Sequence, residues 1–196
     1  MSSSEITIKR YMFMGYYQSR DIEVKDNDHY ISYAFFKDMV FLYFEAINYE
    51  KAEDIIRDYV KIDMKQFPTG EEWVQMMDIF HYSHPVNKEY WQRREGNKTA
   101  EFRIAILKPE KVSEYIYYHF QGQQTFNYKY GKYGAIYLYR NMLIMYDEFP
   151  LEDAEYHLVP GQWTKEDLVK DYDGDIITDL SEIWHDIDRN GWRECE

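Results

Sequence analysis

Tyr115 and His119 are the residues whose types and spacing come nearest to a chemical device in this chain. An imidazole titrates near neutral pH, so it can take and return a proton within one reaction cycle. A phenol can hold a hydroxyl group or stack on a flat apolar face. Four residues apart on a helix, the two side chains share a face and can meet one small molecule. Tyr118 adjoins His119 but points elsewhere on that helix.

Other clusters point more weakly to chemistry. His81 and His84 are three apart beside Pro85, with no His-Glu-x-x-His pattern around them, and no metal is expected there. His29 and His157 fall in predicted loops. Asp186, Asp188, Asn190 and Gly191 match the start of a calcium loop. Asp171, Asp173, Asp175, Asp179 and Glu182 carry a calcium-like spacing, with Ile176 where the turn needs Gly. Both acidic stretches are read as solvated loops and helix ends. There is no glycine-rich phosphate loop, nucleophile elbow or Cys-His metal knuckle. Phosphoryl transfer and serine or cysteine hydrolysis are set aside, and no cofactor is expected.

The elements that must position Tyr115 and His119 follow from pattern. Pro109 suits the first turn of a helix, where a missing N–H costs nothing, and residues 110–124 run on with only Gly122 as a breaker. The run 100–107 reads as a strand before it. After it, 133–148 reads as two β-rich runs around the polar pair Arg140-Asn141, a tight hairpin. Residues 30–45 repeat that pattern around Lys37-Asp38. They align without a gap, Tyr30 on Tyr133 and Glu45 on Glu148. A strand over 9–17 precedes the first hairpin, separated by a polar loop over 19–29 instead of a helix. Each hairpin is followed by a Trp-bearing stretch expected to be helical, 70–80 and 177–187. In the latter, Ile177, Leu180, Ile183, Trp184 and Ile187 mark one apolar face.

This order predicts an α+β chain with two diverged copies of one unit, antiparallel sheets and helices on their outer faces. The expected division is 1–84 for a pared-down unit, 85–99 for a linker and 100–196 for a complete unit reading β-α-β-β-α. That order is close to the ferredoxin-like unit from which dimeric α+β barrels are built.

Composition narrows the partners. The net charge is -13, a field that repels nucleic-acid phosphates and anionic lipid surfaces and tolerates a neutral substrate. Aromatic residues make up 19% of the chain, 21 of them Tyr, which suits strands and wet pockets. Cys195 is the one cysteine, so no intrachain disulfide is expected, and a reducing compartment fits. Neither a signal peptide nor a membrane-spanning run is expected, and the protein is read as cytoplasmic.

Within 101–192 three motifs resemble the L-rhamnose mutarotase family. They are Leu107-Lys-Pro-Glu-Lys-Val-Ser-Glu-Tyr115-Ile-Tyr-Tyr-His119, the hairpin Ala135-Ile-Tyr-Leu-Tyr-Arg-Asn-Met-Leu143, and Thr178-Asp-Leu-Ser-Glu-Ile-Trp184-His185. Residues 30–80 echo the latter two. The resemblance implies interconversion of the α and β anomers of a deoxy sugar by ring opening, without metal or nucleotide. It implies His119 as the acid–base and Tyr115, Tyr133, Trp184 and His185 as sugar contacts. His185 stands where the family has a second Trp, and Tyr133-Gly134 where it has a single Tyr. The barrel would then form within one chain as a pseudo-dimer, as a monomer or a homodimer. A barrel that kept its ligand site without catalysis, and a cofactor-free barrel oxygenase, remain alternatives.

Overall fold

The computed structural model describes residues 7–48, 50–94, 98–125, 131–154, 185–188 and 191–192. In chain order the elements begin with β1 (Ile8–Tyr17), β2 (Glu23–Val24), β3 (Ser32–Phe36) and β4 (Met39–Ile47). Next come α1 (Ala52–Tyr59), β5 (Val60–Lys61), β6 (Met64–Lys65), β7 (Val74–Gln75), β8 (Met77–His81) and α2 (Lys88–Trp91). Then follow β9 (Thr99–Ile106), α3 (Val112–Thr125), β10 (Ala135–Tyr139), β11 (Met142–Phe149), β12 (His185–Asp188) and β13 (Gly191–Trp192). The fold is α+β with antiparallel pairings between its strands.

The described residues divide into two compact units: 7–48, 50–76, 85–94, 187–188 and 191–192 in one, and 77–84, 98–125, 131–154 and 185–186 in the other. In the first, the sheet order is β3-β4-β1-β6, with β7 also on β1. The central strand β4 is buried at every position from Val40 to Ala46. A strand covered on both faces reads as a continuous apolar run instead of an alternating one. On one face, Phe13, Leu42 and Phe44 pack against Ala52, Ile55 and Ile56 of α1. That helix presents its apolar residues at helical spacing and carries Glu53 and Asp54 in its first turn, where the helix dipole favours negative charge.

In the second unit, antiparallel strands run β9-β11-β10-β8, with β12 beside β9. One face of this sheet receives α3. Ile79, Phe80, Ala105, Leu107, Ile136, Leu138 and Leu143 form the core around Tyr115. A 3₁₀ turn at Pro109–Lys111 leads into α3, as the proline predicted.

The two units share a three-strand motif. β3-β4-β1 and β10-β11-β9 have the same order, with Phe36 opposite Met39 in one and Tyr139 opposite Met142 in the other. Lys37 and Arg140 turn the two hairpins with φ of 55° and 59°, a left-handed conformation uncommon for such side chains. Tyr43 donates to Glu45 at 2.9 Å, and Tyr146 donates to Glu148 at 2.8 Å, each pair buried. Between β1 and β3 the chain carries β2 and loop, whereas α3 occupies that interval between β9 and β10.

Two helical expectations are corrected. Residues 70–80 are not helical; they form β7 and β8. An apolar run this short has no periodicity that separates a buried strand from a helix, and Val74, Ile79 and Phe80 favour strand. The helix that follows the first hairpin is α1. In the late stretch, 185–188 is strand where the helix was expected to continue, and 177–184 lies outside the described residues. Among the described residues no helix is long and apolar enough to cross a membrane.

Candidate functional site

On α3, Tyr115 is fully buried in the core and His119 lies one turn later, half-buried. Their rings stack with centroids 3.9 Å apart and planes 22° from parallel. His119 Nδ1 is 3.0 Å from the Tyr115 carbonyl oxygen. A carbonyl only accepts, so Nδ1 carries the proton and donates it, leaving the lone pair on Nε2. Burial lowers the His119 pKa from its ordinary 6.5, opposed by that carbonyl bond. The imidazole is therefore neutral at pH 7, the form a general base requires.

The sheet beneath supplies the neighbours. Phe80 of β8 meets His119 edge-on at 5.4 Å, and Tyr82 meets Phe80 edge-on at 4.9 Å. Tyr82 covers Gly134, and a Cβ there would lie 2.5 Å from the Tyr82 ring and 3.0 Å from the Gly131 carbonyl. Gly131, with φ of 76°, closes the turn, its carbonyl accepting the Gly134 N–H at 2.7 Å. Only glycine at 134 lets the phenol lie this close to the backbone.

Asp147 is on the same face, by strand alternation with Leu143 and Met145 of the core. Its Oδ1 accepts the Glu148 backbone N–H at 2.8 Å. Burial pushes its pKa from 3.8 up to about 6; the Glu148 N–H and the Arg103 charge oppose this, and Glu148 and Glu101 add to it. Burial, then the charge of Asp147, raises the Tyr82 phenol. Thus one face carries a depressed imidazole, a raised carboxyl and a raised phenol, a concentration that marks candidate sites.

Of the residues singled out in sequence, Tyr115 and His119 are brought together. Tyr133 is fully buried, and its hydroxyl donates to Glu152 Oε2 at 3.3 Å. Glu152 also pairs with Lys98 at 2.9 Å and Lys132 at 3.4 Å. Tyr133 therefore anchors a buried ion cluster through its polar tip. The His185 backbone is in β12. Trp184 and the His185 side chain lie outside the described residues. Tyr82 and Asp147 were not foreseen. The signal for Asp147 was present, a pair of acids, Asp147-Glu148, inside an otherwise apolar strand.

Two clefts lie in the first unit. One of about 630 Å³ is bounded by α1 and Trp73, with Phe13, Ile56, Arg57 and Gln66 among its lining. The other, about 260 Å³, is bounded by Tyr30, Glu45 and Trp91. Arg93 grips its lining residue Glu45 with two hydrogen bonds, 2.6 and 3.0 Å, and lies 3.6 Å over the Tyr30 ring. Neither cleft is lined by Tyr115 or His119. Among the described residues no group of three or more His, Cys, Asp or Glu side chains is placed to hold a metal ion. No protein-family model matches the chain, and comparisons with curated proteins and with solved structures give no match.

Proposed function

We propose that this chain is a mutarotase-like isomerase that interconverts the α and β anomers of a small neutral deoxy sugar such as L-rhamnose. The observation that carries the reading is the Tyr115–His119 pair, a neutral imidazole fixed by its own helix with Nε2 left to exchange a proton. The three sequence motifs that resemble the mutarotase family support it, and so does the recurrence of the three-strand motif. On this reading the two units are tandem ferredoxin-like copies, with the proton-transfer helix kept in the second.

The chemistry needs two proton carriers and no redox step. His119 Nε2 removes the proton of the anomeric hydroxyl while an acid protonates the ring oxygen, and the ring C–O bond breaks. The open aldehyde turns about its bond to the ring carbon chain, and the reverse transfers close the other anomer. Asp147, with a pKa of about 6, is the second carrier, because it gains and loses a proton near neutral pH. Tyr115 holds the imidazole plane, and Tyr82 is a phenol that feels the charge of the acid.

A second reading, a ligand-binding protein without catalysis, is favoured by one observation: the 630 Å³ cleft at Trp73 is of ordinary ligand-site size and lies in the unit without α3. Saturation-transfer NMR on L-rhamnose and L-fucose separates the two. Sugar contact that disappears in Trp73→Ala and persists in His119→Ala supports the binding reading. Loss in His119→Ala, with retention in Trp73→Ala, supports the isomerase. No contact in wild type with any aldose defeats both.

A further inference from the structure

We infer that His81 and His84, with Asp78 behind His81, form a two-nitrogen clamp for an imidazole-preferring divalent ion such as Zn²⁺, on the opposite sheet face from α3. The argument begins with a bulge. β8 pairs Phe80 with Ile136 but Asp78 with Tyr137, so Ile79 is the extra residue in the ladder. In a regular strand, residues three apart point to opposite faces. The bulge removes one step of alternation, so Asp78 and His81 share a face, opposite Tyr137 and Ala135. They meet there, with Asp78 Oδ1 3.2 Å from His81 Nδ1. Bulges re-aim side chains next to functional sites more often than elsewhere.

The contact with Asp78 fixes the rest. A carboxylate accepts, so His81 Nδ1 carries the proton and Nε2 holds the lone pair. The chain then folds back toward Pro85 and brings the His84 ring to that lone pair. There His84 Nδ1–H donates to it at 2.8 Å, which leaves the His84 lone pair on Nε2, 3.4 Å from His81 Nε2, so an ion would replace that hydrogen bond with a bond to each Nε2. An ion bound tetrahedrally at ~2.0–2.1 Å from each nitrogen spans a pair roughly 3.3–3.4 Å apart. The wider of the two separations is thus already of chelating length. A carboxylate behind a ligating imidazole is the arrangement that sets its tautomer and raises its basicity. The His81 side chain is 16% exposed and His84 is on the surface, so an ion can enter and water can complete its shell. The clamp holds the ion by two nitrogens, and Asp78 acts through His81 as a positioning residue. The site is independent of His119 and of the proposed isomerase.

The test is calorimetric titration of the full, untagged chain with Zn²⁺, with circular dichroism to check that each variant is folded. Wild type should bind one ion per chain at this site, with micromolar affinity. His84→Ala, a surface change, should lose that binding. Asp78→Asn should keep the stoichiometry and weaken affinity by about 10–100-fold, the usual effect of losing an outer-shell partner. Wild type that takes up no Zn²⁺ in a titration carried to about 0.1 mM overturns the proposal. So does a folded His84→Ala that binds as wild type does, since the ion then sits elsewhere. An unchanged affinity in Asp78→Asn overturns the role given to Asp78.

Discussion

Replacing Asp147 by Asn removes a charge that the fold buries at a cost. The carboxyl pKa moves from 3.8 to about 6, chiefly through burial. The sign follows from proton uptake. A raised carboxyl means that the native state binds more protons than the unfolded chain between those two values, so its contribution is most favourable at low pH and is lost as pH rises toward 6. Roughly two pKa units at 1.36 kcal/mol each make the full penalty about 3 kcal/mol by pH 8. At pH 4 the same relation leaves about 0.5 kcal/mol. Asn keeps an oxygen for the Glu148 N–H and stays neutral throughout. Urea unfolding at pH 4 and pH 8 should therefore show Asp147→Asn nearly equal to wild type at the lower pH and more stable by about 3 kcal/mol at the higher. His119 gives the opposite slope, because its lowered pKa makes the unfolded chain the better proton binder as pH falls below 6.5. That slope is common to both proteins and cancels in the difference. A gain that is the same at both pH values, or an Asn variant weaker than wild type at pH 8, would refute the assignment of a buried, raised carboxyl.

Three further outcomes are expected. Gly134→Ala places a Cβ 2.5 Å from the Tyr82 ring and should destabilise by about 1–3 kcal/mol in urea melts, with less than additive loss when combined with Tyr82→Ala. Arg93→Met leaves Glu45 charged at 2% side-chain exposure and should cost about 3–5 kcal/mol, much of it recovered by adding Glu45→Gln. His84→Ala should remove Zn²⁺ binding from the titration while leaving the thermal midpoint of the zinc-free protein within about 2 °C, since the ring it loses is on the surface.

The hairpins were legible because their signal is local. Two β-rich runs around a polar pair specify a tight turn, and Lys37 and Arg140 both take the left-handed conformation such a turn requires. The α3 helix was legible because Pro109 marks its start. The stretch 70–80 was not, because its apolar residues satisfy either period, and its strand form is chosen by pairing with β1 and β10, distant in sequence. The helix α1 left a readable trace in Ala52, Ile55, Ile56 and Tyr59, but the neighbouring Trp stretch drew the helix assignment. At the site, Tyr115 and His119 meet because helical spacing alone brings them together. Tyr82 and Asp147 come together through strand pairing and two glycines, which no window of sequence displays. Likewise, the meeting of Asp78 with His81 depends on a bulge that is set by the partner strand.

The central claim is that His119 carries protons in anomer interconversion, and two-dimensional exchange NMR on L-rhamnose, L-fucose and related aldoses near pH 7 tests it most directly. Wild type should raise the exchange rate between the α and β signals above the buffer rate, and His119→Ala should lower that catalysed rate by about 10²–10⁴-fold. Exchange that stays at the buffer rate with wild-type protein contradicts the function, and catalysed exchange that survives His119→Ala contradicts the site.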